Sequence, residues 1–191
     1  LSSGLIEALV EQERDQRATE QAKFDELNAQ GILSIAAAGN DGNTAFAYPA
    51  SYSSVISVAA IDSNKFVWPD SQRNNQVDIA APGVGILSTL PGNTYGTYSG
   101  TSMATPGVSG VAALVWSNHP TCTGTQVRNA LKATAEDAGA AGPDVYFGYG
   151  IVKAKAASDY LAASGCGGGS EPPPPAGAPE NLSGSVNKRG K

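Results

Sequence analysis

The sequence predicts an α/β fold in which a mainly parallel sheet is flanked by helices. Short segments bounded by glycine and polar loops, such as 32–38 and 55–61, are apolar on both alternating faces, as strands covered from both sides are. Longer segments with apolar residues at helical spacing precede and follow them. The chain has 191 residues, of which 41% are hydrophobic, so it has enough apolar content to fill one core.

The first predicted helix covers residues 5–29. Its apolar residues fall roughly at helical spacing, and the highly charged stretch 11–20 indicates a solvated face. Gly31 follows as a candidate C-cap. After this helix, strands are predicted at 32–38, 55–61, 77–81 and 86–90, separated by loops rich in Gly, Asn, Ser, Asp and Pro.

Further helices are predicted at 102–118, 126–135 and 151–163. The helix at 102–118 is apolar or small on every side, so we expect it to be buried in the centre of the domain. Thr125 is the candidate N-cap of the helix that follows it.

The composition excludes several classes of function. A net charge of −5 argues against a nucleic-acid partner, which would require a basic face. No apolar run reaches the roughly 18 residues of a membrane span, so no membrane partner is expected. Only two cysteines are present, too few for a cysteine-based zinc or iron–sulfur site.

The domain organisation is predicted from a change in composition near Cys166. Residues 1–166 are expected to form one folded unit, followed by a Gly- and Pro-rich linker at 167–180. Residues 181–191 are either the start of an appended β-domain or a disordered tail. Because Met103 is the only methionine and no leader is visible, we expect the chain to be a piece of a longer protein.

The segment 100–106, Gly-Thr-Ser-Met-Ala-Thr-Pro, places Ser102 at the start of the central helix. A helix N-terminus offers free backbone N–H groups and the positive end of a dipole, both suited to developing negative charge. In the alternative interpretation, Thr101 or Ser102 simply caps the helix.

This heptapeptide resembles the nucleophile motif of the subtilisin-like serine peptidases, the subtilases. Three further segments occur in the family's order and roughly at its spacing: Ala-Ala-Ala-Gly-Asn-Asp-Gly at 36–42, Tyr-Pro-Ala-Ser-Tyr at 48–52 and Ala-Pro-Gly at 81–83. The resemblance extends from about residue 31 to 163 and implies a subtilisin-like, though incomplete, fold. It also implies that Tyr48-Pro49 is the family's cis-proline turn.

The resemblance assigns roles to individual residues. Ser102 resembles the nucleophile, and Asn40 the side-chain amide donor of the oxyanion hole, whose second donor is the backbone N–H of Ser102. Taken alone, Asn40 is an ordinary turn residue. Ala37, Ala38 and Gly39 resemble the wall of the pocket for the substrate side chain, and Gly100 and Thr101 are also expected to bind substrate. Ala47 lies where the family shapes the pocket floor, and the loop 95–100 is expected beside the site.

The chain departs from the family's pattern in one respect. The family's triad runs Asp, His, Ser in chain order, but no histidine precedes Ser102. His119 follows it by 17 residues, about 25 Å along a helix at 1.5 Å per residue, and is interpreted as a helix-end residue. Asp41, Asp62, Asp70 and Asp78 do not occupy the family's acid motif either.

The chain is therefore expected to be the C-terminal half of a subtilase catalytic domain, without the triad Asp and His and inactive by itself. Its parent would be a secreted endopeptidase that acts on protein or peptide substrates through an acyl-enzyme. The rival hypothesis is a non-catalytic domain that binds peptides or proteins in the same groove.

Two further features leave alternatives open. Cys122 and Cys166 suit a disulfide in a protein of exported type, and two free thiols are the alternative. Asp78 lies in a region where some subtilases bind a weakly held cation, which would be calcium or sodium. The alternative is that Asp78 is a strand-end residue that makes hydrogen bonds. No cofactor is required, and no catalytic metal is expected.

Overall fold

The computed structural model describes residues 3–167, with side chains described over residues 10–167. The elements in chain order are α1 (Ser3–Ala29), β1 (Ser34–Ala37), β2 (Val55–Ile61), β3 (Ile79–Pro82), β4 (Ile86–Leu90), β5 (Thr94–Tyr98), α2 (Thr101–Asn118), α3 (Gly124–Ala133) and α4 (Ala154–Ser164). The predicted segment 181–191, and all of the predicted linker except Gly167, lie outside the described residues.

The strands β1, β2 and β3 form a parallel sheet in that order, with Ser34 opposite Val55 and Val58 opposite Ile79. Every residue of β2 is buried, as its sequence, which is apolar on both faces of the strand, predicted. Ile56, Val58 and Ala60 of β2 belong to a core shared with α2, α3 and α4, whereas Ala59 and Ile61 face a second, smaller cluster containing Phe147. The predicted α/β fold class, with a mainly parallel sheet flanked by helices, is confirmed.

The helix α1 ends in the way that Gly31 predicted. The N–H of Gly31 donates to the carbonyl of Asn28 at 3.0 Å, and that of Ile32 donates to Leu27 at 2.9 Å. Gly31 has φ +84°, so these two bonds form a Schellman motif that satisfies the last carbonyls of the helix.

The predicted strand at 86–90 is confirmed as β4, which lies outside the parallel sheet. β4 pairs antiparallel with β5 in a separate two-stranded hairpin. Gly92 and Asn93 turn the chain between them with φ +81° and +58°. The segment 95–100, expected to be a loop, therefore begins as strand β5, and the hairpin leads directly into α2.

The predicted complete burial of α2 is wrong. Its buried residues Thr101, Ala104, Val108, Ala112 and Val115 lie along one side of the helix. Leu114, on the other side, is 56% exposed within the described chain. The apolar sequence thus predicted the helix correctly, but residues 3–167 cover only one of its faces.

Two helix starts also differ from prediction. The N-cap of α3 is Thr123 and not Thr125, in a capping box where the Thr123 side chain accepts from Gln126 N and the Gln126 side chain accepts from Thr123 N. The helix α4 starts at Ala154, because Ile151 pairs with Ala80 as an extra bridge beside β3.

No helix within residues 3–167 is both long enough and apolar enough to cross a membrane.

Candidate active site

The loop after β1 places Asn40 at the carboxyl end of the parallel sheet. The N–H of Ala38 continues the pairing of β1, donating to Val58 at 3.0 Å, and the chain then turns at Gly39 with φ +112°. A Cβ on Gly39 would lie 2.5 Å from Cγ of Gln72, so only glycine permits this turn. Ligands bind at this edge in open α/β sheets.

The N-terminus of α2 is brought to the same edge by the Ala-Pro-Gly segment. The N–H of Gly100, the N-cap residue, donates to the carbonyl of Gly83 at 2.8 Å. A Cβ on Gly83 would lie 2.7 Å from the Gly100 carbonyl oxygen and 2.8 Å from Cβ of Ala60. The close approach of these two backbones therefore requires glycine at position 83.

Thr101 joins Asn40 to the start of α2. Oδ1 of Asn40 accepts from the Thr101 backbone N–H at 2.9 Å and from the Thr101 hydroxyl at 2.8 Å. The Thr101 hydroxyl oxygen accepts from Gly39 N at 3.3 Å. Because a backbone N–H can only donate, these bonds fix which end of the amide faces the helix. Nδ2 of Asn40 consequently points away from Thr101, with both protons free of acceptors among residues 10–167.

Ser102 follows Thr101 in the first turn of α2 and is exposed. Within the described residues, neither its hydroxyl nor its backbone N–H has a hydrogen-bond partner. The N-cap residue of α2 is Gly100, and neither Thr101 nor Ser102 caps the helix with its side chain, so the capping interpretation of these two residues is wrong. Ser102 thus presents a free hydroxyl and a free N–H at the positive end of the helix dipole, next to the residue that binds Asn40.

The predicted substrate-binding residues differ in accessibility. Ala37 and Gly39 are partly exposed, whereas Ala38 is buried with 2% of its surface exposed. Gly100 is buried, and its Cα lies close to Asn40, since a Cβ there would be 3.7 Å from Nδ2. The fully buried Thr101 side chain orients Asn40.

The loop at the predicted pocket floor is tied to α1. Tyr48-Pro49 is a cis peptide bond, in agreement with the resemblance. The Tyr52 hydroxyl donates to Glu20 at 2.7 Å. Burial of Tyr52, together with this hydrogen bond, raises its pKa to about 12.

His119 lies at the opposite end of α2, where it is the C-cap residue, as the sequence predicted. Its Nε2 is 3.2 Å from the Ser158 hydroxyl, on α4. The described chain therefore does not bring a histidine to Ser102.

The cation alternative at Asp78 is contradicted by its neighbours. Nζ of Lys132 lies 2.9 Å from Asp78 Oδ1, and Arg128 reaches Oδ2 at 3.5 Å. The Arg128 guanidinium also donates to the carbonyls of Ser53 and Val55. Two protein cations therefore already pair with the two carboxylate oxygens of Asp78. Asp78 Oδ2 also accepts from the Ser57 N–H at 3.0 Å, as the alternative of a strand-end Asp that makes hydrogen bonds predicts.

The predicted disulfide is present between Cys122 and Cys166, and the free-thiol alternative is wrong. It joins the segment before α3 to the segment after α4 across 44 residues of sequence.

Gln72 was missed by the sequence analysis. Its side chain is buried beneath the loop that carries Asn40 and bonds to Asp41, Asn43 and Ala45. A lone glutamine in a polar segment gives no signal of this, because its partners lie about 30 residues away in sequence.

A parallel sheet, an exposed serine in the first turn of a helix and an asparagine amide bonded to the residue before that serine form the arrangement that the resemblance to the subtilases implies. The chain belongs to the subtilase family, whose model matches residues 2–150.

Several relatives support the family assignment. Subtilisin E of Bacillus subtilis (strain 168) is 46% identical over 138 residues, which are 70% of this chain and 35% of that protein. The subtilisin of Bacillus pumilus is equally identical over the same length, which is 49% of that protein. The chain thus spans about a third to a half of these curated relatives.

Solved structures agree in fold. The psychrophilic subtilisin-like protease Apa1 from the Antarctic psychrotroph Pseudoalteromonas sp. AS-11 superposes with a TM-score of 0.74 at 27% identity, covering 80% of this chain and 69% of that one. The prenylagaramide maturation protease PagA superposes with a TM-score of 0.66 at 32% identity, covering 72% of this chain and 53% of that one.

Proposed function

We propose that the full-length protein is a secreted serine endopeptidase that cleaves peptide bonds in protein or peptide substrates, with Ser102 as nucleophile. One observation carries the proposal. Thr101 holds Oδ1 of Asn40 at 2.9 and 2.8 Å, which leaves Nδ2 free beside a serine whose own N–H is unbonded within the described residues. Membership of the subtilase family supports the same reaction.

In the proposed reaction, a general base takes the Ser102 hydroxyl proton as the Ser102 oxygen adds to the scissile carbonyl carbon, and the carbonyl oxygen becomes negatively charged. The protonated base then serves as the general acid for the leaving amine. Nδ2 of Asn40 and the backbone N–H of Ser102 donate to that oxygen without having to reorganise. Collapse of the intermediate breaks the C–N bond, and the amine leaves with a proton from the general acid. Water then hydrolyses the acyl-enzyme by the same route.

The general base must come from outside residues 3–167, since His119 lies at the far end of α2. We place the general base, and the aspartate that orients it, in the part of the catalytic domain that corresponds to the region of the larger subtilases outside their match to this chain. The isolated chain is accordingly expected to be inactive, because Ser102 would stay protonated. The disulfide supports secretion, since such bonds persist in oxidising compartments.

A non-catalytic protein that binds peptides in the same groove is the second candidate. It is favoured by the separation of the chain's single histidine from Ser102. The two candidates differ in whether the Ser102 hydroxyl reacts.

A serine-directed fluorophosphonate distinguishes them. The full-length protein should be labelled and should cleave a denatured protein substrate, while Ser102→Ala abolishes both. Ser109→Ala is the matched control, because Ser109 is an exposed serine on the same helix whose hydroxyl donates to Thr105. Absence of labelling in the full-length wild type would favour the binding protein.

Replacement of Asn40 tests the oxyanion donor. Asn40→Ala should lower kcat by about 10²–10³-fold with little change in KM, a magnitude carried over from a subtilisin of this same family. Asn118→Ala, which removes an exposed amide from the other end of α2, should leave kcat unchanged. An Asn40 variant with wild-type kcat would contradict this role.

A further inference from the structure

Gln72 uses all the hydrogen-bonding capacity of its side-chain amide on one loop. Its Oε1 accepts from the backbone N–H groups of Asp41 and Asn43, both at 3.2 Å. Its Nε2 donates to Oδ1 of Asn43 at 2.8 Å and to the carbonyl of Ala45 at 3.1 Å. With 2% of its surface exposed, the side chain has lost its contact with water in order to make these bonds.

These bonds flank Asn40 on both sides. The Gln72 backbone N–H donates to the carbonyl of Gly39 at 2.9 Å, and the Gln72 side chain accepts from Asp41. The residues immediately before and after Asn40 are therefore both bonded to one residue, 31 positions away from Asp41 in sequence. This fixes the peptide planes on either side of Asn40.

The fit beneath the loop is also close. A Cβ on Gly39 would meet Cγ of Gln72 at 2.5 Å and Cβ of Ala47 at 3.3 Å. Gln72 therefore fills the space beside Gly39 that a side chain would otherwise occupy. Its Cγ blocks movement of the Gly39 turn toward the protein interior. Thr101 holds the outer end of the Asn40 side chain, and Gln72 holds its backbone.

We infer that Gln72 is a positioning residue that aims Nδ2 of Asn40 at the developing oxyanion, an inference that rests on the proposed function. Oxyanion stabilisation depends on a donor that is already in place when charge develops. An amide donor whose backbone can rotate must be reordered in each transition state, and this lowers kcat more than substrate affinity.

Gln72→Met in the full-length protein tests the inference, since methionine has a similar length but makes none of the four bonds. We expect kcat to fall about 10- to 100-fold, with KM within about threefold of wild type. Asn74→Leu is the matched control. Asn74 is also buried and donates to the Ala45 carbonyl at 3.0 Å, but it bonds to neither neighbour of Asn40. It should lose stability and keep kcat.

A double-mutant cycle separates positioning from general stability. If Gln72 acts through Asn40, adding Gln72→Met to Asn40→Ala should change kcat by less than about twofold. A further 10-fold or larger loss on the Asn40→Ala background, or an unchanged kcat in the single variant, would overturn the inference. Should Gln72→Met not fold, Gln72→Glu keeps an acceptor oxygen for Asp41 and Asn43, and its kcat should lie between those of wild type and Asn40→Ala.

The inference can fail separately from the proposed function. If the wild type is not labelled by the fluorophosphonate and does not cleave the protein substrate, the proposed function is wrong. Hydrogen exchange of the backbone amides then tests the positioning role of Gln72. In Gln72→Met, the backbone amides of Asp41 and Asn43 should exchange at least 10-fold faster, and the Asn40 side-chain NH₂ resonances should shift. Asn74→Leu should cause neither change. Unchanged exchange and resonances in Gln72→Met would overturn the positioning role.

Discussion

At the scale of single residues, the hydrogen bonds from Thr101 decide which way the side-chain amide of Asn40 is oriented. Its Oδ1 faces two groups that donate, the N–H and the hydroxyl of Thr101, so the opposite orientation would leave these donors without an acceptor. The hydrogen-bonding needs of the buried threonine thus decide which atom of Asn40 is presented to a substrate.

The candidate site was predictable from sequence only in part. The motifs at 36–42 and 100–106 identified Asn40 and Ser102, because each residue sits in a short segment of distinctive composition. The role of Gln72 was not predictable. Its contacts with the loop after β1 form only when folding brings that loop against the segment that follows β2. For Asp78, the alternative of a strand-end Asp that makes hydrogen bonds holds, but the sequence did not reveal that Arg128 and Lys132 pair with it.

Tyr52 gives a prediction for alkaline pH. Burial, with the hydrogen bond to Glu20, raises its pKa to about 12, above the ordinary value of 10.0. Since the folded pKa is the higher one, this group's contribution to stability is complete below about pH 10 and is lost as the pH rises from about 10 to 12. A tyrosinate absorbance titration should show a late ionisation that Tyr52→Phe removes. Tyr95→Phe, which removes a tyrosine that is 73% exposed, should retain it. If the late ionisation persists in Tyr52→Phe, it belongs to another residue.

At the scale of elements, sequence predicted helices and strands more reliably than their ends and partners. The β4–β5 hairpin was missed because β5 is polar and contains Gly96, features typical of loops. The apolar sequence of 55–61 needed no such partner information, because a strand buried on both faces is apolar throughout. The continuous apolar pattern therefore predicted this strand of the sheet, whereas the hairpin depends on its turn at Gly92 and Asn93.

The helix α3 provides a test of the corrected N-cap. Thr123→Ala should destabilise the protein by about 1 kcal/mol, because it removes the acceptor for Gln126 N and breaks the capping box. Thr125→Ala is the matched control, since the Thr125 side chain makes only a 3.5 Å contact with Asn28. Chemical unfolding of both variants measures the difference. Equal losses in the two variants would contradict the assignment of Thr123 as the cap.

Glu136 links three parts of the chain and gives a prediction for acid. Hydrogen bonds from Lys153, before α4, and from Lys65, after β2, lower the pKa of Glu136 to about 2. The folded pKa is the lower one, so its contribution to stability is present above about pH 4.5 and is lost as the pH falls toward 2. Glu136→Gln should therefore lower the unfolding midpoint at pH 7 but change it little near pH 2. Glu11→Gln, which replaces an exposed residue on α1, is the control and should leave the unfolding midpoint at pH 7 unchanged.

At the scale of the whole molecule, the helix α2 organises the described chain. It packs against all three strands of the parallel sheet on one side, and both α3 and α4 also contact it. The disulfide holds the segments at the outer ends of α3 and α4 together. On the chain-entropy account, closing a loop of this length stabilises by about 4 kcal/mol. The core that supports Ser102 is therefore assembled from elements that α2 brings together.

The open face of α2 leads to a prediction about the chain of 191 residues expressed alone. Leu114 and Ile32 are 56% and 48% exposed, and within residues 3–167 no strand pairs with the outer edge of β1. Such apolar surface and unpaired edges promote association, so the isolated chain should self-associate in sedimentation and melt without a sharp transition. Leu114→Gln should reduce the association, because it removes exposed apolar area from that face. Leu87→Gln, on the separate hairpin, is the matched control and should reduce it less. A monomer with a sharp cooperative melt would show instead that residues 3–167 are stable with α2 half exposed.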